Sequence, residues 1–63
     1  MTVRDFHKHI FELVEKYPAY SDEIYSLYTM AMDNIGEGES PDNEIDLALR
    51  EIDEIIHGHK LEA

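Results

Sequence analysis

The sequence predicts an all-α fold, a small up-down-up bundle of three helices. Apolar residues recur every three or four positions in three separate stretches, which is the spacing of one face of an α-helix. Each stretch is bounded by residues that cap or break helices, and no stretch alternates as a strand does. Because the connections between them are short, neighbouring helices should run antiparallel. The alternative is a helical hairpin that completes its core only as a homodimer.

The first helix is predicted over residues 3–17. Thr2 can supply the N-cap oxygen, and Pro18 disfavours helical geometry at the residue before it, so the helix should end near Tyr17. The apolar stripe of this helix consists of Val3, Phe6, Ile10, Leu13 and Tyr17.

The second helix is predicted over residues 22–35. Ser21 is the expected N-cap, and Gly36 is the expected helix-ending residue. Its buried stripe should contain Ile24, Leu27, Tyr28, Ala31 and Ile35.

The third helix is predicted over residues 41–57. Ser40 is expected at the cap with Pro41 at the first helical position, and Gly58 is expected to stop the helix. Its apolar positions are Ile45, Ala48, Leu49, Ile52, Ile55 and Ile56.

The length of 63 residues indicates one domain, predicted over residues 1–57, with residues 58–63 as a frayed and partly vector-derived tail. A chain this short leaves little core to spare. The predicted core consists of Phe6, Ile10, Leu13, Ile24, Leu27, Ala31, Ile45, Leu49, Ile52 and Ile56. There is no cysteine, no secretory signal pattern and no apolar run of membrane length, so we expect a cytoplasmic protein.

The negative charge is concentrated in the second and third predicted helices. The chain has 15 acidic and 5 basic residues, a net charge of −10, and residues 21–56 hold eleven of the acids but only one base, Arg50. Such a surface repels nucleic acid and anionic membranes and attracts a basic protein surface or cations. Solubility alone is an alternative explanation for the acids.

Residues 33–44, "DNIGEGESPDNE", have the outline of a calcium-binding loop. Asp33, Gly38 and Glu44 stand at its first, sixth and twelfth places. However, Ile35 at the third place has no side-chain oxygen, and Pro41 at the ninth place begins a helix. The stretch is therefore interpreted as a helix end, a turn and a new helix start, and no calcium site is expected.

Two histidine pairs suggest a metal site, His7 with His9 and His57 with His59. Residues two apart on a helix do not share a face, and the two pairs are expected at opposite ends of the bundle. We therefore predict no metal site. The chain also lacks a cysteine nucleophile, a phosphate-binding loop and the motifs of hydrolases, so neither an enzyme nor a cofactor is expected.

The second helix has more apolar surface than one stripe requires, because Tyr25, Met32 and Met30 fall beside that stripe. Tyrosine and methionine are enriched at protein interfaces, although a central position between the other two helices would also explain the wide apolar face. The third helix adds rows of carboxylates, Asp42 with Asp46 and Asp53, and Glu44 with Glu51. The predicted partner-binding residues are Tyr25, Tyr28, Met32, Asp42, Asp46 and Asp53.

These features predict a small acidic protein-binding module without enzymatic activity. In the sharpest form of this hypothesis it is an inhibitor or adaptor that docks on the basic surface of a nucleic-acid-handling protein, in the manner of a DNA mimic. The alternatives are a self-associating structural homodimer and a cation-binding regulator that uses residues 33–44. Direct contact with nucleic acid or a membrane is not expected.

Overall fold

The computed structural model describes residues 1–58 and consists of three α-helices. They are α1 (Val3–Lys16), α2 (Ser21–Gly36) and α3 (Pro41–His57), with a short 3-10 turn, Pro18–Tyr20, between the first two. No strand occurs within these described residues, so the predicted all-α three-helix bundle is confirmed. Apart from Gly58, the predicted frayed tail lies outside the described residues.

The ends of α1 are those predicted. The Thr2 hydroxyl oxygen accepts a hydrogen bond from the backbone N–H of Asp5 at 3.1 Å, which satisfies one of the unpaired donors of the first turn. At the other end the Tyr17 N–H still donates to the Leu13 carbonyl at 2.8 Å. Pro18 then begins the 3-10 turn, so the chain changes direction at the residue pair that the sequence indicated.

The prediction of Ser21 as the N-cap of the second helix is wrong. The turn Pro18–Tyr20 runs directly into α2, and Ser21 already has helical dihedral angles of −57° and −41°. The cap position falls on Tyr20, and no side chain makes a capping hydrogen bond there. A helical residue cannot also adopt the extended geometry that an N-cap requires.

A Schellman motif ends α2, and its glycine is Gly38, two positions beyond the predicted Gly36. The Gly38 N–H donates to the Ile35 carbonyl, and the Glu39 N–H donates to the Asn34 carbonyl, both at 3.0 Å. Gly38 has a φ of 108°, a conformation that residues with a side chain rarely adopt. Gly36 is the last residue of the helix itself.

The boundaries of α3 follow the prediction, although its start lacks one expected bond. Pro41 is the first helical residue and Ser40 occupies the N-cap position, but the Ser40 side chain accepts no capping hydrogen bond. Gly58 has the left-handed φ of 64° and donates its N–H to the Glu54 carbonyl at 2.8 Å.

Of the ten predicted core residues, six are buried and four, Leu13, Leu27, Leu49 and Ile56, are half-buried against that core. Ala48 is buried in addition. The buried residues are Phe6, Ile10, Ile24, Ala31, Ile45, Ala48 and Ile52.

The central helix is α2, which packs against both α1 and α3, whereas α1 and α3 touch each other less. A central position therefore accounts for most of the wide apolar face of this helix. Tyr28, Met32 and Ile35 are all half-buried against the core.

Candidate protein-binding surface

Large apolar side chains remain exposed on two separate sides of the described bundle. Phe11 and Tyr25 are 48% and 40% exposed on the α1 side of α2, and Met30 and Leu47 are 58% and 49% exposed between α2 and α3. Tyr25 and Met30 are five residues apart, which places them about 140° apart around α2 at 3.6 residues per turn. These two sets of residues cannot contact the same flat partner surface.

The predicted partner-binding residues of α2 lie on its α1 side and are only partly available. Tyr28 packs its ring 5.2 Å from that of Phe6, and its hydroxyl lies 2.6 Å from His7 Nδ1. Met32 is half-buried against the core. Tyr25 alone among the three is exposed.

The predicted acidic residues of α3 lie on the flank of α3 that faces the N-terminus and α1, in depressions that are not lined by residues of α2. Asp42 and Asp46 line a depression with Met1, and Asp53 lines a second depression with residues of α1. Asp46 accepts a hydrogen bond from Arg50 at 2.9 Å, and Asp53 lies 3.1 Å from His57 Nε2. The structure therefore does not bring the predicted acidic residues together with Tyr25, Tyr28 and Met32.

A different set of residues forms one continuous surface, which we call the α2–α3 groove. It is an open groove with a volume of about 200 Å³. Ala31 and Ala48, both buried, form its floor, while the longer side chains of Met30 and Leu47 rise on its two sides. The full lining comprises Leu27, Met30, Ala31, Asn34, Glu44, Leu47, Ala48 and Glu51.

The charge of the α2–α3 groove is uniformly negative. Glu44 and Glu51 stand on its α3 wall, seven residues and about 10.5 Å apart along the helix. Within residues 1–58, none of the lining residues is basic. Arg50, the one base in residues 21–56, is bonded to Asp46. The groove is thus apolar along its floor and acidic at both ends of one wall.

One end of the α2–α3 groove is fixed by a hydrogen bond between its walls. Asn34 Nδ2 donates to Glu44 Oε1 at 2.9 Å, and the pair is partly buried. This bond joins the last turn of α2 to the first turn of α3 and sets their relative register. A carboxylate has two oxygens, so Glu44 can still accept a hydrogen bond from a bound partner.

The exposed side chains on the other side of α2 form an aromatic cluster, which we call the α1–α2 face. The His7 ring packs edge-on against the Phe11 ring, with 4.6 Å between the ring centroids, and its centroid lies 5.7 Å from that of the Tyr28 ring. Tyr25 lies one turn before Tyr28 on α2. Around this face, α1 carries balanced charge, with Arg4, Lys8 and Lys16 against Asp5, Glu12 and Glu15.

The histidines are arranged differently from the prediction that placed the two pairs at opposite ends. His9, at the middle of α1, and His57, at the end of α3, line the same depression together with Asp53. The lining of this depression places the middle of α1 beside the last turns of the parallel α3. Even so, residues 1–58 contain no group of three or more His, Asp or Glu side chains placed to hold a metal ion. His59 lies outside the described residues.

Residues 33–44 adopt the helix end, turn and helix start that the sequence indicated. Ile35 packs against the core, and Gly38 has its positive φ because it closes the Schellman motif of α2. Glu44 is held by Asn34. The glycine at the sixth place is therefore explained by helix termination, without reference to a cation.

Sequence reasoning missed Leu47 and gave little weight to Met30. Leu47 falls outside the periodic stripe of the third helix, so its exposure as a lone leucine carried no signal. Its importance appears only when α2 is placed beside it. The sequence signal that could have found this surface is the position of Leu47, an apolar residue that lies between Glu44 and Glu51 but outside the buried stripe of the third helix.

Comparison of the chain with protein-family models, curated protein sequences and solved structures finds no match. In the described part of the chain, no helix combines the length and the apolar character needed to cross a membrane.

Proposed function

We propose that this protein is a small acidic binding module that acts in the cytoplasm by docking on a basic surface of another protein, without catalytic activity of its own. The observation that carries the proposal is the α2–α3 groove, where Met30 and Leu47 are exposed beside Glu44 and Glu51. Apolar residues supply contact area there, and the carboxylates favour a basic partner and speed its association.

The sharpest form of this proposal is an inhibitor or adaptor of a nucleic-acid-handling protein. Proteins that bind nucleic acid carry clustered basic residues, which an acidic module with a net charge of −10 can approach rapidly. Direct imitation of a phosphate backbone by the row Asp42, Asp46 and Asp53 has less support. Two of these three carboxylates already face Arg50 and His57 within the molecule.

The test is site-specific photo-crosslinking in an extract of the source cell. A photoreactive side chain replaces Met30 in one variant and Tyr25 in the control, since these exposed positions lie on opposite sides of α2. The captured protein is then purified, and its affinity is measured at several salt concentrations. We expect capture from position 30, a basic partner and an affinity that falls with added salt.

Two results would contradict the proposal. One is capture that is as strong or stronger from position 25. The other is a partner whose affinity for the purified protein does not change with salt, because an acidic groove that contributes to recognition must respond to screening.

Self-association is the second candidate function, and the α1–α2 face is the observation that favours it. Phe11 and Tyr25 are exposed there, and the charges of residues 1–20 balance, so two copies could approach on this side with little local repulsion. Salt distinguishes this candidate from the first, because screening weakens attraction to a basic partner but relieves repulsion between two acidic copies. The cation-binding alternative gains no support from residues 33–44, where Ile35 packs against the core.

A further inference from the structure

We propose that the α2–α3 groove receives a single basic, amphipathic α-helix of its protein partner. This inference rests on the proposed function and goes further, because it specifies the secondary structure, the length and the residue pattern of the bound segment. Three observations carry it: the length of the groove, the shape of its floor and the positions of its carboxylates.

The length of the groove matches two turns of a helix. Its α2 wall runs from Leu27 to Asn34 and its α3 wall from Glu44 to Glu51, seven residues in each case. At 1.5 Å per residue each wall is about 10.5 Å long. This is the distance between positions i and i+7 of a partner helix, and helices that bind in grooves use anchors at i, i+3, i+4 and i+7.

The shape of the groove suits large side chains from one helix face. Ala31 and Ala48 are almost completely buried, and their short side chains leave the floor low. Met30 and Leu47 extend on either side and are roughly half exposed. Leucine, methionine or phenylalanine side chains of a partner helix can therefore insert above the two alanines and bury both rims.

The charge of the groove defines the flanks of the bound helix. Glu44 and Glu51 stand near the two ends of one wall, so a partner helix needs lysine or arginine about seven positions apart beside its apolar stripe. A second copy of this chain does not fit that description. Its α2 and α3 are acidic. The apolar stripe of α1 packs into the core, so among the large apolar residues of α1 only Phe11 is exposed, and it offers one anchor where the groove accommodates several.

The experiment uses a panel of labelled synthetic helices of about 18 residues, long enough to hold helical structure. The panel carries leucine, methionine or phenylalanine at i, i+3, i+4 and i+7, with lysine or arginine on both flanks. Control peptides have the same composition in scrambled order, or glutamate in place of the basic residues. Fluorescence anisotropy gives the affinity, and far-UV circular dichroism gives the helix content on binding.

The protein variants compare the two sides of α3. The double variant Met30→Ser/Leu47→Ser removes the two exposed apolar side chains at the sides of the groove. Glu51→Lys reverses one charge of the groove. Asp53→Lys is the matched control, since it makes the same change in net charge about 160° away on the same helix. Phe11→Ser with Tyr25→Ser is the control for the loss of exposed apolar area.

We expect at least one amphipathic basic peptide to bind as a helix, and the scrambled and acidic peptides to bind at least about tenfold more weakly. The double variant Met30→Ser/Leu47→Ser and the single variant Glu51→Lys should each weaken the binding about tenfold or more. The single variant Asp53→Lys and the double variant Phe11→Ser/Tyr25→Ser should each change the affinity less than about threefold. Unchanged circular dichroism of each free variant shows that folding is retained.

Two outcomes would overturn the helix inference. In the first, no peptide of the panel binds, although the partner captured at position 30 binds the purified protein. That result contradicts the inference that a helix occupies the groove and leaves the proposed function standing. In the second, peptides bind but Asp53→Lys weakens them more than Glu51→Lys does. That result moves the site to the other edge of α3 and removes both the inference and the groove on which the proposed function depends.

Discussion

At the scale of single residues, Ile52 of α3 should make a large contribution to the stability of the bundle. It is 1% exposed and belongs to the central cluster. Ile52→Ala should lower the free energy of unfolding by about 2–5 kcal/mol, because the lost contacts leave a cavity. For a bundle of this size that loss approaches the whole stability. Urea unfolding followed by circular dichroism measures it.

Ile55→Ala is the matched control for Ile52→Ala, because it makes the same chemical change one turn away at a half-buried position. Its loss should be clearly smaller. A variant at position 52 that is as stable as the wild type would show that the core has been placed on the wrong face of α3.

The two hydroxyl residues at helix starts should differ in what their removal costs. Thr2 makes a capping hydrogen bond and Ser40 makes none, although both occupy N-cap positions. Thr2→Ala should therefore cost about 1 kcal/mol, and Ser40→Ala less than about 0.5 kcal/mol. Thermal or urea unfolding of the two single variants tests this order, and a larger loss at position 40 would contradict the capping geometry.

At the scale of elements, the turn between α2 and α3 depends on one glycine and tolerates change at another. Gly38 has a φ of 108°, so Gly38→Ala should destabilise the protein by about 1–3 kcal/mol. Gly36 is helical with no atom near an added Cβ, so Gly36→Ala should stabilise it by about 0.5–1 kcal/mol. Chemical unfolding curves of both variants provide the measurement, and the reverse order would show that Gly36 ends the helix as the sequence suggested.

The same turn gives a negative prediction for calcium. Ile35 removes a ligand and packs inside, and Gly38 serves the end of α2. Calorimetry with micromolar calcium should therefore show no saturable site. A stoichiometric isotherm that is lost on Glu44→Gln would overturn the interpretation of residues 33–44 as a turn.

Helix positions could be predicted from the sequence because their signals are local. The spacing of Phe6 and Ile10, the break at Pro18 and the stop at Gly58 depend on residues within a few positions of each other. The cap at Ser21 was wrong because the turn from Pro18 to Tyr20 is continuous with α2, and no local pattern distinguished a loop there from a 3-10 turn. The predicted helix-ending glycine, Gly36, was two positions too early, because residues 36–38, "GEG", contain two glycines and Gly38 is the one that closes the Schellman motif.

At the scale of the whole molecule, the candidate binding surface depends on how the helices are arranged. Periodicity identifies the buried face of each helix, but it does not say which flank lies beside which neighbour. Tyr25 and Met30 lie about 140° apart around α2 by helix geometry alone, but only the packing of the bundle shows that α1 lies on the side of Tyr25 and α3 on the side of Met30. For the same reason, the sequence did not show that Asp42 lies beside Met1 and that Asp53 lies beside residues of α1.

The oligomeric state of the whole molecule should respond to salt in a way that separates the two candidate functions. With a net charge of −10, two copies repel each other at low salt, so the protein should sediment as a monomer there. If the α1–α2 face self-associates, added salt should raise the dimer fraction by screening this repulsion. Analytical ultracentrifugation at several salt concentrations measures the response, with Phe11→Ser and Tyr25→Ser together as the variant that should abolish it.

The choice of variant in that experiment follows from the structure. Met32→Ser is unsuitable because Met32 is half-buried against the core, so its loss would lower stability as well as association. Met30→Ser with Leu47→Ser is the matched control, since it removes comparable exposed apolar area on the other side of α2 and should leave any dimer intact. A monomer at every salt concentration would exclude self-association through Phe11 and Tyr25. A dimer that is lost only in the Met30 and Leu47 variant would instead assign the α2–α3 groove to a second copy and contradict the proposed basic partner.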